Sequence, residues 1–191
     1  MVAFADGSMR VYDYANPDSA EVFFSSNNQQ INSLAWVNNK SGDFITSSRK
    51  VGALKIWNVA QKDSKTIIKV GTSGIKHFVP LVSNPNLYVI SFEKGSVGIY
   101  DIEKRKFEFL TEEAHSETIF DIQFCPWNKD LIATCSYDST VKVWNASNMK
   151  LISNIPATKL LQAKLDPTDK VIFFALAWSP TPDDKSLIAI D

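Results

Sequence analysis

Apolar residues along this chain fall into runs of four to eight, rich in Val, Ile, Phe, Tyr and Thr, separated by clusters of Asn, Asp, Ser, Gly and Pro. Runs this short, bounded by turn formers, predict strands. One set of four reads INSLAW at 31–36, FITSS at 44–48, GALKIWN closing on Trp57 and KTIIKV at 65–70. The next reads IKHFVPL at 75–81, LYVISF at 87–92, KGSVGIYD closing on Tyr100 and KFEFL at 106–110. A third reads IFDIQF at 119–124, LIATCS at 131–136, DSTVKVWN closing on Trp144 and LISNI at 151–155. Partial sets flank these: VAFA at 2–5, DGSMRVYD closing on Tyr12 and EVFFSS at 21–26 before them, and FFALAW at 173–178 with SLIAID after.

The aromatic residues that close the third strands, Tyr12, Trp57, Tyr100 and Trp144, follow one another at intervals of 45, 43 and 44 residues. Such a period marks a repeat protein in which one supersecondary unit recurs. The linkers SNPN, NKSGD and PWNKD are dense in residues that turn the chain on their own side-chain hydrogen bonds. A helical spacing of Leu160, Leu161 and Leu165 ahead of Pro167 makes 157–170 the one candidate for a short helix, with a turn as the alternative.

Composition adds exclusions. With 191 residues, 45% hydrophobic and 21% charged, the chain reads as an ordinary globular protein. Twenty basic against twenty-one acidic residues give a net charge of −1, so no global positive field draws nucleic acid or anionic lipid. The longest apolar run, around VIFFALAW at 171–178, is about half what a membrane-spanning helix requires. The opening MVAFADGSMRVYDYANPD has neither a secretory nor an organellar pattern, which sets the expectation of an intracellular protein, cytoplasmic first and with the nucleus left open. Cys125 and Cys135 sit in apolar runs and read as reduced, structural thiols.

A four-stranded unit of about forty-four residues with a Gly-His-like start and a Trp-Asp-like end resembles the WD40 repeat of β-propellers. The fourth repeat, from Ala114-His115 to Trp144-Asn145, carries the resemblance most fully, with Ala and Asn where the family has Gly and Asp. The resemblance implies an all-β fold: a WD40 propeller of about four blades of four antiparallel strands, incomplete at both ends. Its pieces are 1–26, 27–70, 71–110, 111–155 and 156–191, forming a single propeller segment across 1–191. Because the second strand is present at both ends, the leftover pieces do not sum to one closed blade, and the chain is expected to belong to a longer propeller.

The resemblance also assigns residues. His115 before the first strand, Thr134 on the second, Asp138 in the following turn and Trp144 on the third would form a buried hydrogen-bonded brace. The other repeats depart from this: Val2 stands at the Thr position of the first, the turn in SSRKVGAL at 47–54 lacks an Asp, and Lys94 replaces it in the third. A hydrolase triad built on the same His, Asp and hydroxyl is the rival reading, but no nucleophile elbow surrounds Thr134 or Ser136. His77 and His115 lie too far apart in sequence, and without companion ligands, to suggest a metal, and KGSVG at 94–98 reads as a hairpin turn rather than a phosphate loop. No cofactor, metal or catalytic residue is therefore expected.

Partner contacts carried over by position fall at Gln30 and Asn32, at Gly74 and Lys76, at Thr118, Phe120 and Tyr137, and at Ile172 and Phe174, on the loops around the channel mouth. The plainer reading keeps Phe120 and Phe174 as packing between blades, and the basic run IEKRK at 102–106 as a solvated hairpin tip. The function implied is a non-catalytic scaffold that assembles other proteins or peptides. The alternative is a reader of a modified or acidic peptide in an aromatic-lined pocket at the channel mouth. Nucleic acid and membrane are not expected as partners.

Overall fold

The computed structural model describes residues 1–4, 6–24, 30–37, 40–48, 52–160, 171–184 and 186–190. Its regular structure is almost all antiparallel sheet, laid down as successive meanders. The first sheet has β1 (Val2–Ala3), β2 (Ser8–Asp13) and β3 (Asn16–Phe24). The second has β4 (Ile31–Trp36), β5 (Asp43–Ser48), β6 (Ala53–Asn58) and β7 (Gln61–Lys69). The third has β8 (Ile75–Pro80), β9 (Leu87–Phe92), β10 (Val97–Asp101) and β11 (Lys106–Thr111). The fourth has β12 (Ile119–Phe124), β13 (Leu131–Ser136), β14 (Thr140–Asn145) and β15 (Leu151–Pro156). The last pairs β16 (Ala175–Trp178) with β17 (Leu187–Ile190). Strands pair with their chain neighbours throughout, as blades of an incomplete WD40-type propeller do.

Three local differences from the sequence expectation stand out. β11 and β15 each run one residue past the expected end of their repeats, to Thr111 and Pro156. The candidate helix at 157–170 is helical over Ala157–Leu160, and the rest lies outside the described residues. In the fifth repeat, Phe173 and Phe174 precede strand β16 instead of opening it, although the Phe174 N–H still bonds to Ile190 O at 2.8 Å.

The core lies between the sheets. Ile45, Leu54 and Ile68 of the second sheet meet Ile75, Phe78, Tyr88 and Ile90 of the third. Val89, Val97 and Ile99 of the third meet Ile119, Ile122, Ile132 and Trp144 of the fourth, whose Ala133, Cys135 and Val141 face Phe173 and Leu176. Middle strands therefore carry a neighbouring sheet on each face, which is why β9 and β13 read as near-continuous apolar runs. Among the described residues the outermost strands β11 and β15 pair on one side only, and at least half of their positions are exposed. At the hairpin between β9 and β10, Gly95 takes a φ of 80°, and a Cβ there would collide with the backbone carbonyl of His115.

The first strands of the sheets stand side by side, β8 between β4 and β12, and β12 next to β16. Each of β4, β8 and β12 carries a bulge at the same level. Ile31 pairs Ser48 and Ser33 pairs Ser47, leaving Asn32 extra; Lys76 is left extra between Ile75 and His77, and Phe120 between Ile119 and Asp121. The residue after each bulge is polar, and two of the three tie to the next first strand. Ser33 Oγ makes long hydrogen bonds with Phe78, donating to its carbonyl at 3.4 Å and accepting its N–H at 3.5 Å. Asp121 Oδ2 accepts the Leu176 N–H at 2.9 Å. The third, His77, puts Nδ1 3.9 Å from Asp121 Oδ1.

Candidate docking face

The fourth sheet brings His115, Thr134, Asp138 and Trp144 into one chain of hydrogen bonds. Trp144 Nε1–H donates to Thr134 Oγ1 at 2.9 Å, and Thr134 Oγ1 lies 2.7 Å from His115 Nε2. His115 Nδ1 lies 2.9 Å from Asp138 Oδ2. A single proton arrangement satisfies all of them: the indole donates to the hydroxyl, the hydroxyl to Nε2, and Nδ1–H to the carboxylate. Asp138 accepts further bonds from Ser116 N–H at 3.1 Å, Thr140 N–H at 3.0 Å and the Thr140 hydroxyl at 2.6 Å.

Electrostatics agrees with that arrangement. Burial pushes the His115 imidazole below its ordinary pKa, against the pull of Asp138, so the ring is neutral. Burial alone would raise the Asp138 carboxyl, but the hydrogen bonds from His115, Thr140 and Ser116 outweigh it and hold the group well below its usual range. The set shares its residue types with a hydrolase triad, yet Thr134 is fully buried and its oxygen already accepts the indole N–H. The hydrogen bonds of the four residues tie the turn at Asp138 to strands β13 and β14, the geometry of a brace.

Sequence reasoning missed a half-brace in the second sheet. Trp57 Nε1–H donates to Thr46 Oγ1 at 2.9 Å, and among the described residues no His or Asp extends this pair. The signal was present, since Thr46 and Trp57 occupy the strand positions of Thr134 and Trp144. Asp43 and Asp101 do related work at the other end of their blades. Asp43 accepts from Asn58 Nδ2 and from Lys65 Nζ, while Asp101 caps the turn N–H groups of Glu103 and Lys104. In that turn Lys104 is paired with Asp101 and Glu108 at the exposed surface, as a solvated hairpin tip would be.

Five of the residues assigned to partner contact converge. Lys76, Thr118, Phe120 and Tyr137, together with Glu93 and Glu117, line an open hollow of about 380 Å³. Phe174 packs its ring on Phe120 with centroids 4.8 Å apart and remains 52% exposed, and the Tyr137 ring lies 6.3 Å from that of Phe120. Lys76 Nζ sits over the Phe120 face, 4.9 Å from its centroid. The floor is fixed by the backbone: Thr118 Oγ1 donates to Glu93 O at 2.7 Å, Tyr137 N–H to Thr118 O at 3.0 Å, and Glu93 N–H to Gly74 O at 3.0 Å.

Gln30, Asn32 and Ile172 do not line this hollow. Gln30 is exposed, Ile172 is half-buried, and Asn32 uses its side-chain amide to bond the Ile75 carbonyl at 2.9 Å, a tie between sheets. Phe120 serves both readings, because its inner edge packs against the core shared with Phe173 and Leu176 while its face lines the hollow.

Residues 107–145 match the sequence model of the family described as "WD domain, G-beta repeat". Curated relatives include nucleoporin Nup43 of Mus musculus, 20% identical over 74% of this chain and 38% of its own length. Methylosome protein WDR77 of Xenopus laevis is 24% identical over 81% of this chain and 43% of its own length. The GATOR2 complex protein WDR24 of Danio rerio is 20% identical over 78% of this chain and 19% of its own length. The chain thus spans less than half the length of these relatives. Residues 107–145 thus carry a WD40 repeat, and the same antiparallel meander recurs before it and begins again after it, as in a segment of a β-propeller.

Proposed function

We propose that this chain forms part of a non-catalytic scaffold on which other proteins assemble, and that they dock on the face carrying Lys76, Thr118, Phe120, Tyr137 and Phe174. The observation that carries this reading is the convergence of those residues, from three sheets, around one open hollow with a half-exposed Phe174 at its edge. An aromatic side chain left partly in water beside a concave surface is the usual form of an interface anchor. The names of the relatives favour the same reading, since they include a nucleoporin, a methylosome protein and a GATOR2 complex protein. An intracellular setting goes with it. The phrases ETIFDIQFCPWNKDLIATCSYDSTVKVWN and VISFEKGSVGIYDIEKRKFEFL also resemble the amino-terminal propeller of WD repeat-containing protein 17, and a closer kinship with that protein is part of the proposal.

A second reading, a peptide reader, is favoured by the aromatic walls that Phe120 and Tyr137 give the hollow. The test of docking compares the proteins recovered by affinity capture with the wild type, Phe174→Glu and Tyr137→Ala, with Ile152→Glu on the exposed strand β15 as control. Loss of the same proteins from the first two variants alone is expected. Unchanged recovery with Phe174→Glu removes this face as the docking surface.

A further inference from the structure

We infer that the hollow receives a cationic side chain of a partner peptide, an arginine guanidinium, and that Lys76 is its intramolecular competitor. The inference rests on the reading of this face as the docking surface. Its first support is charge. Two carboxylates, Glu93 and Glu117, line the hollow against the single ammonium of Lys76. The brace behind adds no positive charge, because His115 is neutral and Asp138 directs its carboxylate oxygens to His115, Ser116 and Thr140. A carboxylate or phosphate entering here meets net repulsion, whereas a cation is attracted.

The second support is that a cation is already seated. The Lys76 ammonium lies over the face of Phe120, whose negative π-cloud faces the hollow. Phe174 buttresses that ring at 4.8 Å, and Tyr137 adds a second aromatic wall. A planar guanidinium laid on Phe120 gains more from an aromatic face than the compact ammonium does, and its fork of donors matches two flanking carboxylates.

Lys76 is also placed to leave. It is the extra residue of the β8 bulge, opposite no single residue of β9, so rotation of its flexible stem leaves the strand register unchanged. Affinity for the incoming cation is then set by exchange of one cation for another on the same ring.

The test titrates two pentapeptides, Gly-Gly-Arg-Gly-Gly and Gly-Gly-Glu-Gly-Gly with blocked ends, into the chain while the ring-proton signals of Phe120, Tyr137 and Phe174 are followed by NMR. The arginine peptide is expected to shift these signals and the glutamate peptide to leave them in place. Lys76→Ala is expected to tighten arginine binding roughly fivefold, and Glu117→Gln to weaken it by a similar factor. Preference for the glutamate peptide, weaker arginine binding in Lys76→Ala, or no arginine binding by either the wild type or Lys76→Ala overturns the inference. If Phe174→Glu nonetheless loses its partners in the capture experiment, docking on this face survives without the cation. If partner recovery is unchanged, the docking reading itself has failed.

Discussion

Asp121 on β12 accepts the backbone N–H of Leu176 on β16 at 2.9 Å, across the seam between two blades. The same carboxylate accepts its neighbour's N–H at Ile122, 2.8 Å away, and the Gln123 side-chain amide at 3.1 Å. One side chain thus holds the bulge in its own strand and fastens the next first strand to it.

Asp121→Ala is therefore expected to loosen the last sheet before the others. Hydrogen exchange followed residue by residue should show faster exchange at Leu176 and Ile122, with the amides of β9 and β10 unaffected under conditions where exchange is local. Unchanged protection at Leu176 would show that the seam is held by apolar packing alone.

The brace and the half-brace make a matched pair. Thr46→Val strands one buried indole N–H, that of Trp57, and is expected to cost about 1–3 kcal/mol. Thr134→Val strands the Trp144 N–H and also removes the donor to His115 Nε2, so its cost should approach twice that figure. Urea denaturation of the two variants measures the difference; equal losses would mean that His115 contributes nothing through this bond.

Acid should destabilise the fold in two stages. Burial is the first cause that lowers both His115 and His77; Asp138 and Asp121 oppose it, and Lys142 and Lys76 add to it. An unfolded imidazole titrates near pH 6.5, about its free value, so on acidification the unfolded chain takes up protons first. The stability contributed by the neutral rings is complete above that pH and is lost as the pH falls through the folded values. The Asp138, Asp43 and Asp101 carboxyls are held low in the fold, so their contribution persists above the ordinary carboxylate range and is lost only at still lower pH. The urea midpoint should be level between about pH 8 and 7 and fall from about pH 6.5 to 5, with a shallower fall in His77→Gln/His115→Gln. A midpoint that rises on acidification would reverse the sign assigned to the rings.

Much of this architecture was legible because strand runs and their period are local properties of the chain. Tyr12, Trp57, Tyr100 and Trp144 mark equivalent third strands without reference to any partner, and His115, Thr134 and Asp138 lie within one repeat. The bulges were not legible as such. An extra residue at Asn32, Lys76 or Phe120 merely blurs the alternation of INSLAW, IKHFVPL and IFDIQF, and only the pairing partners on the second strand reveal it. Contacts across seams were hidden for a different reason. Asp121 meets a backbone N–H, a group that every residue but proline carries, so no side chain at 176 announces the bond. Phe120 and Phe174 were picked out singly from the repeat, but their ring-on-ring contact depends on how the blades are set side by side.

The bulges have a consequence for how such a protein can change. Because an extra residue is inserted in β12, two adjacent positions there are separated in duty: Phe120 turns a face to the hollow, while Asp121 reaches for the next first strand. Under the docking proposed for this face, drift at the lining position can alter what is recognised while the bond from Asp121 to Leu176 holds, and specificity and cohesion become separately heritable traits written one codon apart.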